Sequence, residues 1–324
     1  MATNRALPVT LEAADITVSE LQIRAIAELL SHRSANELYS PARWDDPLYW
    51  NVEATPADRC QYLAIGNSIN FRFWEKQGGK IVPSSGVIEG QRIRGSMYLW
   101  RRLRCAVERE ELSLDANDLS SLNEDQFIRA FTDDEGHFPF EPGLSDRVEN
   151  LRDLGKRLSM SWNGQFSNVV EAAHGSLDQF VRLCADFRAF DDPVQKLIMV
   201  NAIMLTGSGI VKFDKDPLPG VDYHLVKQAL RQGLVIPNGS LRRKLVAEDL
   251  LDADESLMLR KSVLDALVGV AKASGVSTAI LDNLYWLNRR VCADDHPLCS
   301  TCPFEEACPK RLEFGLPLEH TRYY

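Results

Sequence analysis

Near its end the chain reads Cys292-Ala-Asp-Asp-His-Pro-Leu-Cys299-Ser-Thr-Cys302-Pro-Phe-Glu-Glu-Ala-Cys308, a C-x6-C-x2-C-x5-C spacing. Four of the seven cysteines fall in this one segment, while Cys60, Cys105 and Cys184 are scattered. Four thiolates on one short loop can wrap a single polynuclear centre, and three chemistries are open to them: a 4Fe–4S cluster, a zinc ion or two disulfides. Structural zinc held by four cysteines usually uses two close pairs with a longer spacer between them. Here only Cys299 and Cys302 form a close pair. Disulfides need an oxidising compartment, and nothing in the sequence points to one. The N-terminal Met1-Ala-Thr-Asn-Arg-Ala-Leu-Pro8 has no apolar signal core, and no apolar run approaches the roughly 20 residues of a membrane span. The expectation is a cytoplasmic protein with reduced thiols and no membrane contact.

The 324 residues suit one large or two modest domains with an ample core. A net charge of −9 and a pI near 5.3 argue against a large electrostatic footprint on duplex DNA, where Lys and Arg on phosphates drive binding. They leave room for a local basic patch.

Periodicity predicts a mostly α protein with one small β insertion. A helix is expected over 16–32, capped by Thr17 or Ser19, with Leu21, Ile23, Ile26, Leu29 and Leu30 as its apolar stripe. Residues 38–58, with Pro41, Pro47 and Pro56, read as an ordered loop, and 59–75 as a buried helix. Short alternating apolar pieces around Ser84-Ser85-Gly86 suggest a single β-hairpin near 79–95. Helices follow over 96–110, 123–131, 144–161, 175–189, 193–206, 222–233, 240–248, 255–274 and 277–291, with a polar turn at 132–136. The chain divides along its length into an N-terminal helical lobe (1–150), a helical core (151–291) and the cysteine loop with its tail (292–324).

Two helix starts carry candidate chemistry. Asp192 is a good cap and Pro193 a good first helical residue for an element that is apolar nearly all round, as in a helix buried at a protein's centre. Lys196 and Asn201 are its polar exceptions. Lys196 either reaches a buried site or snorkels to water. Further on, Gly220 makes a turn and Asp222 opens the next helix, as an ordinary cap or as a reacting carboxylate. His224 reads as a satisfied structural histidine.

Two resemblances meet at these residues. Val221-Asp222-Tyr223-His224 resembles the V-D-x-H segment of the helix-hairpin-helix glycosylase superfamily, whose Asp is catalytic. The Cys292, Cys299, Cys302, Cys308 loop resembles the 4Fe–4S loop of its endonuclease III branch. The resemblance implies a two-lobed helical fold, a 4Fe–4S cluster as cofactor with zinc as the alternative occupant, and ancestry among base-excision enzymes. The L-P-G-V-G hairpin that would hold a DNA phosphate is missing before Lys196, where the chain reads Ala189-Phe-Asp-Asp-Pro193; the similar Leu218-Pro-Gly-Val221 string lies directly against Asp222. The second resemblance, over roughly 45–324, is to the queuosine salvage family of nucleotide N-glycosylases that release queuine. Ile69-Asn70-Phe71-Arg72-Phe73-Trp74 resembles its L-N-F-x-F-W stretch, Arg94-Gly95-Ser96-Met97-Tyr98 the segment after it, and Gly164-Gln-Phe-Ser-Asn168 its G-G-S-F-x-N. Lys196 falls on its helical Lys, Val221-Asp222-Tyr223 on its A-D-Y-R-L-P segment, and Arg322-Tyr323-Tyr324 on its R-x-x-Y-Y ending. The four-cysteine loop departs from the familiar eukaryotic members, so the resemblance is to a cluster-bearing relative.

On this basis the expected activity is hydrolysis of the base–sugar bond of a 7-deazaguanine nucleoside or nucleotide. The alternatives are a DNA base-excision glycosylase or lyase and a non-catalytic iron–sulfur nucleotide-binding protein. An N-glycosidic bond breaks through an oxocarbenium-like sugar, which a fixed carboxylate stabilises while it steers or deprotonates water. Asp222 takes that role, held ionised by the helix start. Lys196 is its partner, a contact to the leaving base or phosphate, or an imine-forming nucleophile. Asn70 is a polar site group, and Phe71, Phe73, Trp74 and Tyr223 are contacts for the base, with core packing as the other reading of the rings. The partner is then a small nucleoside or nucleotide, with duplex DNA as the partner of the alternative reading.

Overall fold

The structure, a computed structural model, describes residues 15–32 and 44–324. The N-terminal Met1–Pro8 peptide and the start of the proline-rich loop lie outside the described residues. The chain forms two compact units: 15–32 with 221–319, and 44–220 with the tail 320–324. Division by contact thus differs from the sequential segments 1–150, 151–291 and 292–324, because an early helix and the last five residues each join a unit built elsewhere in the chain. Among the described residues no single helix is long and apolar enough to cross a membrane.

The first unit opens with a strand, not the helix expected from residue 16. β1 (Ile16–Val18) pairs antiparallel with β6 (Val235–Pro237), and α1 (Glu20–Ser31) begins only after Ser19, whose hydroxyl accepts from the Gln22 amide at 3.2 Å. The Ile-Thr-Val run prefers the strand because it finds a partner far along the chain.

The larger unit holds the main aromatic core. α2 (Pro56–Ser68) is capped by Thr55 and buried on every face from Cys60 to Ser68. It stops well before residue 75, where the sequence suggested. The carbonyls that a longer helix would use internally are taken instead by side chains of α6 (Leu144–Ser161). Asn150 donates to the Ser68 carbonyl at 2.8 Å, and Arg147 to those of Ile69, Phe71 and Arg72. Residues 69–73 are therefore a tethered loop, with Arg72 in the left-handed region at φ 44°.

Two hairpins replace the single one expected. β2 (Trp74–Gln77) pairs with β3 (Lys80–Pro83), and β4 (Ser85–Ile88) with β5 (Gln91–Arg94). Each has a two-residue turn with both residues at positive φ, Gly78-Gly79 and Glu89-Gly90, the backbone that matches strand twist. Ser84 links the hairpins and makes no turn of its own.

α3 (Gly95–Glu108), α4 (Ala116–Ser120), α5 (Glu124–Phe131) and α6 complete this half of the core. α6 approaches α4 closely at Gly155, where an added Cβ would lie 2.4 Å from the Ala116 carbonyl. Between α5 and α6 the expected polar turn is organised by Asp133. Its Oδ2 accepts from the Val87 amide at 2.8 Å, and its Oδ1 from those of Glu135 at 3.0 Å and His137 at 2.8 Å. Burial alone would raise the Asp133 carboxyl, but these three amides outweigh it and hold the group below its ordinary value. A carboxylate lowered on folding adds stability that is complete above the unfolded value and lost as pH falls through the folded one. Asp133→Asn should thus cost about 2 kcal/mol at pH 7, as for charge-assisted hydrogen bonds. Urea unfolding of both proteins should show the gap narrowing below about pH 4, the ordinary carboxylate range. A gap independent of pH would remove the carboxylate as its source.

α7 (Phe166–Ala172), α8 (Leu177–Cys184) and α9 (Lys196–Gly207) close the unit. α9 starts three residues later than Pro193. The cap position falls on Gln195, at φ 59° and with no side-chain cap bond, instead of on Asp192; Asp192 accepts from the Val194 amide at Oδ1 and the Lys196 amide at Oδ2, and Pro193 lies in the preceding turn. The first unit resumes with α10 (Tyr223–Arg231), α11 (Gly239–Ala247), α12 (Ala253–Ser274) and α13 (Thr278–Asn288). α1 packs on α12 with Ile23 against Gly269, and the remainder to 319 holds little regular structure beyond a 3-10 turn at Cys299–Thr301.

Candidate active site and thiol cavity

In the larger unit the Asn70–Trp74 loop is built around Arg147. This side chain is fully buried, on the apolar stripe of α6 with Leu151, Leu154 and Leu158. Its Nε donates to the Ile69 carbonyl at 3.3 Å, Nη1 to that of Pro142 at 2.8 Å, and Nη2 to those of Phe71 and Arg72. The guanidinium also lies over the rings of Phe71 at 4.4 Å, Phe140 at 4.9 Å and Phe73 at 5.6 Å. Phe71 and Phe73 thus sit in a cation–aromatic cluster within the core.

Lys196 does not snorkel. It is buried, and its Nζ donates to the Asn70 carbonyl at 2.9 Å. Asn70 in turn belongs to a buried amide chain: its Nδ2 is 3.5 Å from Asn67 Oδ1, and Asn67 Nδ2 donates to Asn201 Oδ1 at 3.2 Å. The two polar residues of α9 are thereby joined to the loop that bears Asn70. Trp74, at the start of β2, stacks near His320 at 5.9 Å and under Arg72 at 5.7 Å. Burial first, and the Arg72 charge second, hold His320 below the usual imidazole value. The tail is tied here as well: the Arg72 amide donates to the Tyr324 carbonyl, and Arg322 pairs with Asp191 at 2.7 Å.

In the other unit Asp222 is the cap of α10, as the sequence implied. Both cap bonds fall on Oδ1, from the His224 amide at 2.8 Å and the Leu225 amide at 3.0 Å. Oδ2 has no hydrogen bond among the described residues. Tyr223 follows it, buried, its ring 4.5 Å from that of His224. Asp222 and Tyr223 belong to one compact unit; Asn70, Phe71, Phe73, Trp74 and Lys196 belong to the other.

Cys292, Cys299, Cys302 and Cys308 line one cavity together with Arg231, Gln232, Asn288 and Val291. All four are free thiols. Among the described residues no three Cys, His, Asp or Glu side chains converge as a single metal ion needs; tetrahedral zinc would draw its sulfurs to about 3.8 Å of one another. Donors face the cysteine sulfurs: Arg231 Nη1 lies 3.5 Å from Cys292 Sγ, and the Lys310 amide 3.4 Å from Cys308 Sγ.

Residues 50–199 match the family model described as Queuosine salvage protein. A curated relative from Sphaerobacter thermophilus, described as queuosine 5'-phosphate N-glycosylase/hydrolase, is 25% identical over 169 residues. That match covers 52% of this chain and 49% of the relative, so the chain spans about half the relative's length. Among solved structures, an 8-oxoguanine DNA glycosylase from Pyrobaculum aerophilum, complexed with 8-oxoguanosine, is similar at a TM-score of 0.47 and 15% identity, covering 84% of this chain and 90% of that one. The family match contains the Asn70–Trp74 loop, Arg147 and Lys196; Asp222 and the cysteines lie beyond it.

Sequence reasoning missed Arg147, although one signal was present: a charged residue one turn before Leu151 on an apolar stripe. It also missed Arg231 and Lys227, which lie on the helix that Asp222 begins.

Proposed function

We propose that the protein is an N-glycosidase that hydrolyses queuosine 5'-phosphate, or a closely related 7-deazaguanine nucleotide, to the free base and ribose 5-phosphate. The match of residues 50–199 to the queuosine salvage model carries this reading. In the reaction the bond between the anomeric carbon and the base nitrogen breaks, and its electron pair leaves on the base. Water's oxygen bonds the anomeric carbon, and one of its protons finishes on the released base. Asp222 Oδ2 is the carboxylate oxygen that faces the developing cation and receives that proton from water, while Oδ1 is kept in place by two amides. Lys196 is a positioning residue that fixes the Asn70 backbone. Trp74 and Tyr223 are aromatic contacts for the base; Phe71 and Phe73 support the loop from within the core.

A 7-deazapurine has no N7 to protonate, so departure of the base relies on donors placed at its other polar edges. The amide side chain of Asn70 is the candidate donor in the loop. The reading is tested by incubating the protein with queuosine 5'-phosphate, queuosine and guanosine 5'-phosphate and following released base by chromatography. Release from the first compound alone is expected. Cleavage of none of them, together with salt-dependent binding to duplex DNA, would sink the proposal in favour of a DNA glycosylase.

The four loop cysteines, on the same proposal, hold a 4Fe–4S cluster. The support is the C-x6-C-x2-C-x5-C spacing, the shared cavity and the two N–H donors that face its sulfurs. Its contribution is to close the loop onto the helices, and the reaction above needs no electron from it.

A further inference from the structure

The cavity of the cysteines is fastened to one helix, and that helix begins at Asp222. Arg231, the last residue of α10, donates from Nη1 to Cys292 Sγ at 3.5 Å, to the Cys292 carbonyl at 3.4 Å and to the Ala293 carbonyl at 2.8 Å. Its Nε donates to the Phe314 carbonyl at 2.8 Å, and its own carbonyl accepts from the Arg311 amide at 3.0 Å and the Cys308 thiol at 3.6 Å. One turn earlier Lys227, with no side-chain exposure, is paired with Asp294 inside the cysteine loop at 2.8 Å. Gln228 Oε1 accepts from Asn288 Nδ2 at 2.8 Å, and Asn288 Oδ1 accepts from the Cys302 thiol at 3.6 Å. Cys292 Sγ thus reaches α10 through an N–H donor that a metal-bound thiolate would keep, whereas the Cys302 and Cys308 contacts use the thiol proton that cluster binding would remove. At the other end, about 13 Å away at 1.5 Å per residue, the first turn is held by the two amide bonds to Asp222.

We propose that α10 is the rigid link through which the thiolate centre sets the position of Asp222, with Arg231 as the positioning residue at the sulfur end. The inference rests on the cluster reading given above. A bound cluster would turn four separate thiols into one rigid node, and a helix tied to the cysteine loop by Arg231, on Cys292 and Ala293, and by Lys227, on Asp294, moves with it as a rod. Without the node the loop carrying Asp294 loosens. Buried Lys227 then loses its ion pair with Asp294, and the C-terminal end of α10 keeps only the bonds made outside the cysteine loop, Arg231 to the Phe314 carbonyl and from the Arg311 amide, and Gln228 to the Tyr285 carbonyl.

The test uses anaerobically purified full-length protein, assayed for iron and sulfide, before and after removal of iron by ferricyanide with a chelator. Hydrogen exchange at the His224 and Leu225 amides, which Asp222 caps, should quicken by about tenfold or more on removal, as a local opening would allow. The amides of α6 in the other unit should be unchanged and serve as the internal reference. Protein that carries iron and sulfide but keeps these two amides equally protected after stripping overturns the link and leaves the cluster reading intact. Protein with neither iron nor sulfide overturns the cluster reading itself. Arg231 is tested separately: in Arg231→Met the reduction potential of the assembled cluster should fall, because an N–H to sulfur bond is lost, and Arg231→Lys should restore part of it. A potential unchanged in both variants removes Arg231 from the role.

Discussion

Asp222→Asn is expected to slow release of base from queuosine 5'-phosphate by about 10³-fold, the scale lost when a positioned base or charge-stabilising group is removed. The substitution separates chemistry from architecture. Asparagine is as good a helix cap as aspartate, and its side-chain oxygen can accept from the same two amides, at His224 and Leu225. α10 should therefore form, the protein should unfold at the same temperature within a degree or two, and substrate should bind. What is lost is the carboxylate at Oδ2. Single-turnover base release, calorimetric binding and thermal unfolding, measured on one preparation, give the three answers. If Asp222→Asn keeps most of the wild-type rate, Asp222 is only a cap and the reacting carboxylate lies elsewhere.

Arg147→Ala should destabilise the larger unit by about 3–5 kcal/mol, the cost of breaking a buried, charge-assisted network from one side. The guanidinium is fully buried and gives four of its hydrogen bonds to backbone carbonyls, at residues 69, 71, 72 and 142. Its removal leaves those carbonyls unpaired and opens a space beneath Phe71, Phe73 and Phe140. Arg147→Lys should recover little, because one ammonium cannot serve in-plane acceptors on two sides of a flat fork. Urea unfolding reads the loss. Because the same carbonyls shape the loop that carries Asn70, a residual folded fraction should also bind substrate less tightly. A loss below about 1 kcal/mol, the range of a neutral or surface contact, would mean that the loop holds its shape without Arg147.

The helix start at Asp222 was legible in the sequence. Asp222 was placed at the first turn of a helix by Gly220 before it and the apolar spacing after it, and it caps that helix. The α6 span was read to the residue because its stripe is long, regular and begun by Gly143. Elements failed where partners were distant. The run from Asn67 to Trp74 is helical by composition, yet residues 69–73 leave the helix because Arg147 captures the carbonyls of Ile69, Phe71 and Arg72, and Asn150 that of Ser68, from 75 to 82 residues away. Ile16–Val18 likewise became a strand because Val235–Pro237 lies beside it.

The cysteine spacing, the capping of α10 by Asp222 and the near-total burial of α9 were determined by the sequence alone, because each depends on residues within a few positions of one another. Tertiary structure decided the rest. It turned Lys196 inward onto the Asn70 carbonyl, made Arg147 the support of the loop, and drew three of the loop sulfurs to α10, the helix that starts at Asp222. The physical reason is common to all three. A buried polar group must be satisfied wherever a partner can be found, and the partner it finds is set by how the chain folds back, not by its neighbours in sequence.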